Sequence, residues 1–345
     1  METQLRPSIS SILNYNKEIT FATRIENALV FSQDCDLFIT AIFSANRAMS
    51  GLQLFKYQHN CPITMCSGIC MDGSIAVQSL PEEITLEMHN ELQILFLDSS
   101  GKFCVYDNTR CFLTTSFKFP DHRDIVDFAG SKNKVGEFAV LKSSNLLICQ
   151  VEYDKYTELI SIPVEAFQIS FFADSYLLRK RDSLTYYNNG EFKDYYTLNS
   201  NSIKAISHFH INRDHVISAS ADGDLCLMTI VGLTSIGLRH WRGAFWDAID
   251  GWIVVLIKNS VLVFISDENP EQRLIVNLKN PLDRIIGVYA GYSRYAEEIN
   301  VSIIQKNSII VVNVSPSILD GTVKVNNDGL NNGPANKPMK PRKGK

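Results

Sequence analysis

The stretch Ile203–Ile230, IKAISHFHINRDHVISASADGDLCLMTI, decides the fold. An apolar run, Ile203–Phe209, ends at a polar corner, Asn212-Arg213-Asp214. A second run, His215–Ala219, leads to Asp222-Gly223, and a third, Leu225–Ile230, follows. Asp-Gly supplies the positive φ that a two-residue hairpin turn demands, so the segment reads as strand, corner, strand, tight turn, strand. Short runs rich in branched and aromatic residues, bounded by turn residues, are strands rather than helices.

Outward from this unit, the chain repeats it in altered form. On the N-terminal side lie Leu29–Tyr57, Ile84–Tyr106 (closing on LQILFLDSSGKFCVYD), Ile125–Val151 (GEFAVLKSSNLLICQV) and Phe167–Tyr187. On the C-terminal side lie Gly243–Ile265, GAFWDAIDGWIVVLIKNSVLVFI, with Asp250-Gly251 at one turn, and Ile285–Val314. The spacing of the unit ends brackets the ~40–45 residues of a four-stranded propeller blade. A two-sheet sandwich uses fewer strands, whereas closing many small sheets into a ring removes exposed edges.

The segment SASADGDLCLMTI resembles the second half of a WD repeat, which runs from an apolar strand through small residues and Asp-Gly into a strand ending in Trp-Asp. This chain keeps Ser218-Ala219-Ser220-Ala221-Asp222-Gly223 but has Thr229-Ile230 where Trp-Asp would stand, and the unit lacks the Gly-His that opens such a repeat. Leu95–Asp107 resembles the pattern more weakly, and the other units share only its period. The resemblance implies an all-β chain with a single divergent WD40-like β-propeller of about seven blades. It also implies a structural turn at Asp222-Gly223, and Asp250-Gly251 reads the same way because Asp tolerates the left-handed conformation such a turn demands. In such rings an N-terminal strand completes the last blade, and Ile19–Thr23 is the expected closing strand.

Three segments are expected: a flexible lead over residues 1–18, the propeller over 19–317, and a disordered basic tail over 318–345. The tail is poor in apolar residues and rich in Asn, Gly, Pro and Lys, so it cannot bury enough surface to order itself. Lys337, Lys340, Arg342, Lys343 and Lys345 make its end basic.

A net charge of −4 on 345 residues gives the whole molecule no strong field for nucleic acid or membrane. There is no secretory h-region and no apolar stretch of about 18 residues, so cytoplasm and/or nucleus is the expected location. With no secretory signal, the eight cysteines read as reduced thiols. Cys61, Cys66 and Cys70 form one cluster with His59 nearby, and their spacing departs from the tight pairs of zinc sites. Strand and turn cysteines are the expectation, with no metal and no cofactor.

The motifs of phosphate-binding loops, serine hydrolases and zinc proteases are absent. His208 and His210 share a strand face, and a turn or backbone-bonding role is expected of them. The tryptophans cluster in Arg239-His240-Trp241-Arg242-Gly243-Ala244-Phe245-Trp246 and Trp252. Aromatic residues with Arg make both interface hot spots and base-stacking platforms. Arg239, Trp241, Arg242 and Trp246 are therefore the candidate partner contacts, against the alternative of a connection packed on its own ring. The charge runs His122-Arg123-Asp124 and Arg179-Lys180-Arg181-Asp182 read as solvated loops.

The expected function is that of a non-catalytic scaffold binding other protein subunits of an intracellular complex, with no membrane and no small-molecule substrate. The alternative is an RNA-associated subunit of a tRNA- or rRNA-processing or ribosome-biogenesis assembly, touching RNA through the Arg/Trp segment and the basic tail. A hydrolase of the diphthine methylesterase kind is a third reading, without a nucleophile–base pair to support it.

Overall fold

The computed structural model describes residues 8–25, 28–41, 54–71, 93–108, 110–172, 174–181, 183–197, 206–212, 215–220, 225–229, 232–235, 245–249, 252–266, 269, 272–293, 298–315 and 321–325. Among them the chain is all strand and turn, with one 3-10 turn at His122–Asp124. No helix there is long and apolar enough to cross a membrane.

The strands form six antiparallel sheets of four and one sheet of five. β1 (Ser8–Asn14) belongs to the last of them. Sheet I is β2 (Phe21–Ile25), β3 (Ala28–Gln33), β4 (Asp36–Ala41) and β5 (Leu54–Gln58). Sheet II is β6 (Ile63–Gly68), β7 (Gln93–Asp98), β8 (Lys102–Asp107) and β9 (Phe112–Lys118). Sheet III is β10 (Ile125–Gly130), β11 (Glu137–Lys142), β12 (Asn145–Glu152) and β13 (Lys155–Pro163). Sheet IV is β14 (Gln168–Phe172), β15 (Ser175–Arg179), β16 (Ser183–Asn188) and β17 (Glu191–Thr197). Sheet V is β18 (Ile206–Asn212), β19 (His215–Ser220), β20 (Leu225–Thr229) and β21 (Gly232–Ser235). Sheet VI is β22 (Phe245–Ile249), β23 (Trp252–Ile257), β24 (Val261–Ser266) and β25 (Arg273–Leu278). Sheet VII is β26 (Ile285–Ser293), β27 (Glu298–Gln305), β28 (Ser308–Val314) and, on its outer edge, β1. β29 (Gly321–Val325) adds a fifth strand to sheet VI, parallel to β25.

The first strands of successive sheets lie side by side: β2 against β6, β6 against β10, β10 against β14, β22 against β18 and β26, and β26 against β2, while β15 touches β18. The sheets thus follow one another around a closed ring. Alternation along the middle strands divides the core between neighbours, because successive side chains face opposite sides of a sheet. On β7, Leu95 and Leu97 join the cluster shared with sheet III, while Ile94 and Phe96 join the cluster shared with sheet I. Both faces are covered, so these strands read as continuous apolar runs rather than alternating ones. Phe103 centres the layer between sheets II and III, with Phe128 edge-on at 4.9 Å and Phe119 at 5.4 Å.

Two bulges recur. The register shifts at the second residue of β6, β10, β18 and β26. It also shifts within the outer strands β9, β13 and β17. Each bulge adds local twist, as a strand needs when it fans outward from a crowded centre.

Both ends of the chain depart from expectation. Ser8–Asn14, inside the lead expected to be flexible, is the strand that completes sheet VII, pairing from Ser8 opposite Asn313 to Asn14 opposite Ser308. Ile19–Thr23 is not the closing strand. Ile19 is buried between sheets I and VII, its N–H donating to Lys306 O at 2.6 Å, and Phe21 begins the first strand of sheet I. The segment expected to be a disordered tail contains β29, whose backbone pairs residue for residue with β25 from Leu274 opposite Gly321 onward. Residues 326–345, with the basic end of the tail, lie outside the described residues.

Candidate interaction surface

Most of the site residues nominated from sequence fall outside the described residues: Asp222, Gly223, Asp250, Gly251, Arg239, Trp241 and Arg242. The strands flanking the two Asp-Gly pairs are antiparallel partners, as a turn between them requires. Trp246 corrects its nomination as a partner contact. It is 3% exposed and packs with Ala248, Ile253, Val255, Val263 and Ile265 in the apolar core of sheet VI. It is placed to hold the blade, not to meet a partner.

The inner strands carry polar groups that bind one sheet to the next. Asp127 on β10 accepts the Phe128 N–H at 2.9 Å and, with its other oxygen, the Ile169 N–H of β14 at 3.0 Å. Asp247 on β22 does the same to Ala248 and to Ala290 of β26, at 2.8 and 2.9 Å. In sheet II a hydroxyl takes the role, Ser67 Oγ accepting the Gly130 N–H of β10 at 3.1 Å. Burial pushes the Asp127 carboxyl up to about 6, against the N–H groups of Ile169 and Phe128 and the charge of Arg179. Burial likewise raises Asp247, opposed by Arg24 and its two N–H donors. Arg24 on β2 meets Asp247 at 3.2 Å and donates to Ala290 O and Ala248 O at 3.1 and 3.0 Å. Tyr289 OH donates to Ala22 O at 2.6 Å. The sequence held one signal for this set: a lone carboxylate inside an apolar strand, as in IVDFA and FWDAI. Burying it is tolerable only with donors in place.

His59 pairs with Asp98 rather than with the cysteines near it in sequence. Its Nε2 lies 3.0 Å from Asp98 Oδ2, and Cys104 Sγ is within 4.8 Å of both ligand atoms. His, Cys and Asp are donors that zinc accepts. Here, however, the other Asp98 oxygen already takes the N–H and hydroxyl of Ser100 and the N–H of Lys102, at 2.8, 2.7 and 3.0 Å. The carboxylate closes the β7–β8 turn and tethers the preceding crossing to it. Burial opposes its charge, but the His59, Ser100 and Lys102 bonds hold the carboxyl below the usual aspartate value. Burial drives the Cys104 thiol up to about 12, so it stays neutral in this setting. Cys66 packs between sheets I and II and Cys70 is buried, its N–H donating to Ser131 O.

The two charge runs read as solvated loops lie on the same rim. In an antiparallel sheet, the turn between the second and third strands and the crossing to the next sheet fall at the same end. This rim is continuous from sheet II to sheet IV. Phe119 N–H donates to Gly101 O, Ser143 N–H to Asp124 O, Val164 N–H to Ser144 O and Phe167 N–H to Arg179 O. The His122 ring packs against Gly101 so closely that a Cβ there would lie 2.3 Å from it. Bases stand at every step of the path: Lys102 and Lys118 on sheet II, Arg123 in the crossing, Lys142 on sheet III, and Arg179-Lys180-Arg181 on sheet IV. The acids among them are Asp121, Asp124 and Glu165, with Asp98 buried in the β7–β8 turn, while Asp182 lies outside the described residues.

No sequence-family model and no curated protein matches this chain. Solved structures do. The Cps50 (Swd1) β-propeller domain of Myceliophteria thermophila aligns with a TM-score of 0.61 at 10% identity, over 90% of this chain and 100% of that one. The structure of U3-55K aligns at 0.56 and 12% identity, over 89% and 100%. That of the RRP9 WD40 repeats aligns at 0.56 and 12%, over 89% and 98%. At such identities the likeness is one of fold, and the fold is a β-propeller like those of the WD40 structures.

Proposed function

We propose that this divergent WD40-type propeller, with its sheets as seven blades, is a non-catalytic scaffold that presents its rim to the other subunits of an assembly. The observation that carries the reading is the use made of buried polar groups. Asp36 is paired with Lys56, Asp98 with His59, Asp107 with the Arg110 N–H and Glu137 with Lys134. Asp127 and Asp247 hold neighbouring blades. Acid–base chemistry needs a carboxylate or imidazole facing a substrate; these are taken up by the chain's own side chains and backbone N–H groups. The neighbours in fold, two of them described as a β-propeller domain and as WD40 repeats, are consistent with a binding platform.

The test is affinity purification of the tagged full chain at about 150 and about 400 mM salt, a range that strips phosphate contacts. Mass spectrometry and RNA quantitation follow on both eluates. A stoichiometric set of proteins retained at the higher salt is the expected result. A chain that elutes alone at both salts overturns the scaffold reading.

A further inference from the structure

We infer that the rim running from sheet II to sheet IV is a binding track for single-stranded RNA. This rests on the scaffold reading, in which the rim loops are the presenting surface, and adds the chemistry of one ligand.

Three observations carry it. First, the bases are distributed along a hydrogen-bonded path across three blades rather than gathered at one point. That is the arrangement a phosphate backbone matches, one charge per nucleotide along its length. The opposite rim of the same sheets has no excess of bases: Arg110 and Lys134 are paired with Asp107 and Glu137, and Lys132 and Lys155 stand among Glu152, Asp154, Asp174 and Glu191.

Second, Lys102 and Lys118 are direct cross-strand partners at the end of sheet II, and both are exposed. Like charges directly opposite on a sheet are destabilising. An anion placed between them would relieve the repulsion, and a local rule broken without compensation marks a functional position.

Third, Phe167 is 44% exposed where the path reaches sheet IV, with the Arg179 guanidinium 5.3 Å from its ring centre. An aromatic ring beside Arg on a basic surface is a platform for a nucleobase. An acidic peptide would use the charges but not the ring, which is why the track is assigned to RNA.

The experiment measures fluorescence anisotropy of a labelled, mixed-sequence single-stranded RNA of about 20 nucleotides, long enough for a track of this kind. It uses the full chain and four variants of it, Lys118→Glu alone being the fourth. One carries Lys118→Glu, Arg123→Glu and Arg181→Glu. One carries Phe167→Ala. In the third, Lys337, Lys340, Arg342, Lys343 and Lys345 are each changed to Gln. The triple reversal should weaken binding at least tenfold and flatten the slope of log affinity against log salt by about 2, from about 0.7 per lost phosphate contact. Phe167→Ala should weaken binding several-fold with the slope unchanged, since stacking is not a charge contact. The tail variant should keep most of the affinity. Lys118→Glu alone should raise the melting temperature while lowering affinity, a combination that a purely structural lysine would not produce. The track is overturned if the wild-type chain does not bind at about 50 mM salt, if the triple reversal binds like wild type, if the tail variant alone abolishes binding, or if polyglutamate displaces the RNA as well as unlabelled RNA does. Should RNA binding fail while the same proteins co-purify at high salt, the scaffold reading stands without it.

Discussion

Arg24 Nη2 lies 3.2 Å from Asp247 Oδ1, joining the first strand of sheet I to the first strand of sheet VI across sheet VII. The carboxylate is fully buried and the Arg24 side chain is 14% exposed. The same guanidinium donates to Ala290 O on sheet VII. Three blades therefore meet at one cation, beside the place where the ring closes. Removing one member of such a pair leaves a buried charge without its partner, which costs about 3–5 kcal/mol. Arg24→Ala should lower stability by that order in denaturant unfolding. Arg24→Lys should recover only part of the loss, because an ammonium is not a planar fork and cannot span the same acceptors. An Arg24→Ala protein as stable as wild type would mean that the junction is held by packing alone.

The two inner-strand aspartates make a prediction in pH. Asp127 has a folded value of about 6 against an ordinary 3.8. The folded state therefore holds its proton more tightly than the unfolded chain. The stabilisation from protonation is complete below the ordinary value and is lost as pH rises through about 6. Asp247 is raised too and contributes with the same sign. Melting temperature should therefore rise between pH 7 and pH 5 relative to a variant without the titrating group. Asp127→Asn should flatten that part of the profile. Parallel profiles for the two proteins would contradict a raised value.

Much of the ring was legible because its middle strands are buried on both faces. ILFL, FAVL and WIVVLI are continuous apolar runs, and each lies in the second strand of its sheet. The outer strands were illegible for the opposite reason. β13, KYTELISIP, is exposed along most of its length, so burial imposes no pattern on it. β1, SISSILN, is just as unremarkable as a sequence, and nothing in it marks it as the closing strand in place of Ile19–Thr23. The basic track was hidden differently. Its residues stand scattered between Lys102 and Arg181, and only the alternation of strand direction puts them on one rim. Trp246 misled because aromatic residues beside Arg mark interfaces and cores alike, and exposure alone separates them.

His59 and Asp98 should behave as a coupled pair. Asp98→Ala removes an acceptor from His59, Ser100 and Lys102 together and should cost roughly 2–4 kcal/mol, since hydrogen bonds to a charged group are the stronger kind. His59→Ala should cost less, and the double variant should fall short of the sum by about 1 kcal/mol or more. Asp98 is held below the ordinary carboxylate value, so its contribution is present above that value and is lost as pH falls below about 3.8. Asp98→Asn should therefore be less sensitive than wild type at the acid end. Additive single variants would show that the contact carries no energy.

The two ends of the chain should differ sharply in what their loss does. Deleting residues 1–14 removes β1, and with it the outer edge of sheet VII and the Leu13 contact with the core between sheets I and VII. Its pairing is also the only one among the described sheets that joins the N-terminal strand to the last sheet, so the ring loses its clasp as well as a strand. Truncation after Ser315 removes β29, which lies parallel on the outer edge of sheet VI and, among the described strands, pairs with β25 alone. Leu274, Val276 and Leu278 of β25 are buried with residues of β23, β24 and sheet VII. The C-terminal truncation should change the melting temperature by a few degrees at most, whereas the N-terminal deletion should sharply reduce soluble, protease-resistant protein. Limited proteolysis of both proteins checks the pair of outcomes. An N-terminal deletion that resists protease like wild type would show that the ring closes without β1. A C-terminal truncation that cannot be recovered folded would make β29 part of the blade rather than an addition to it.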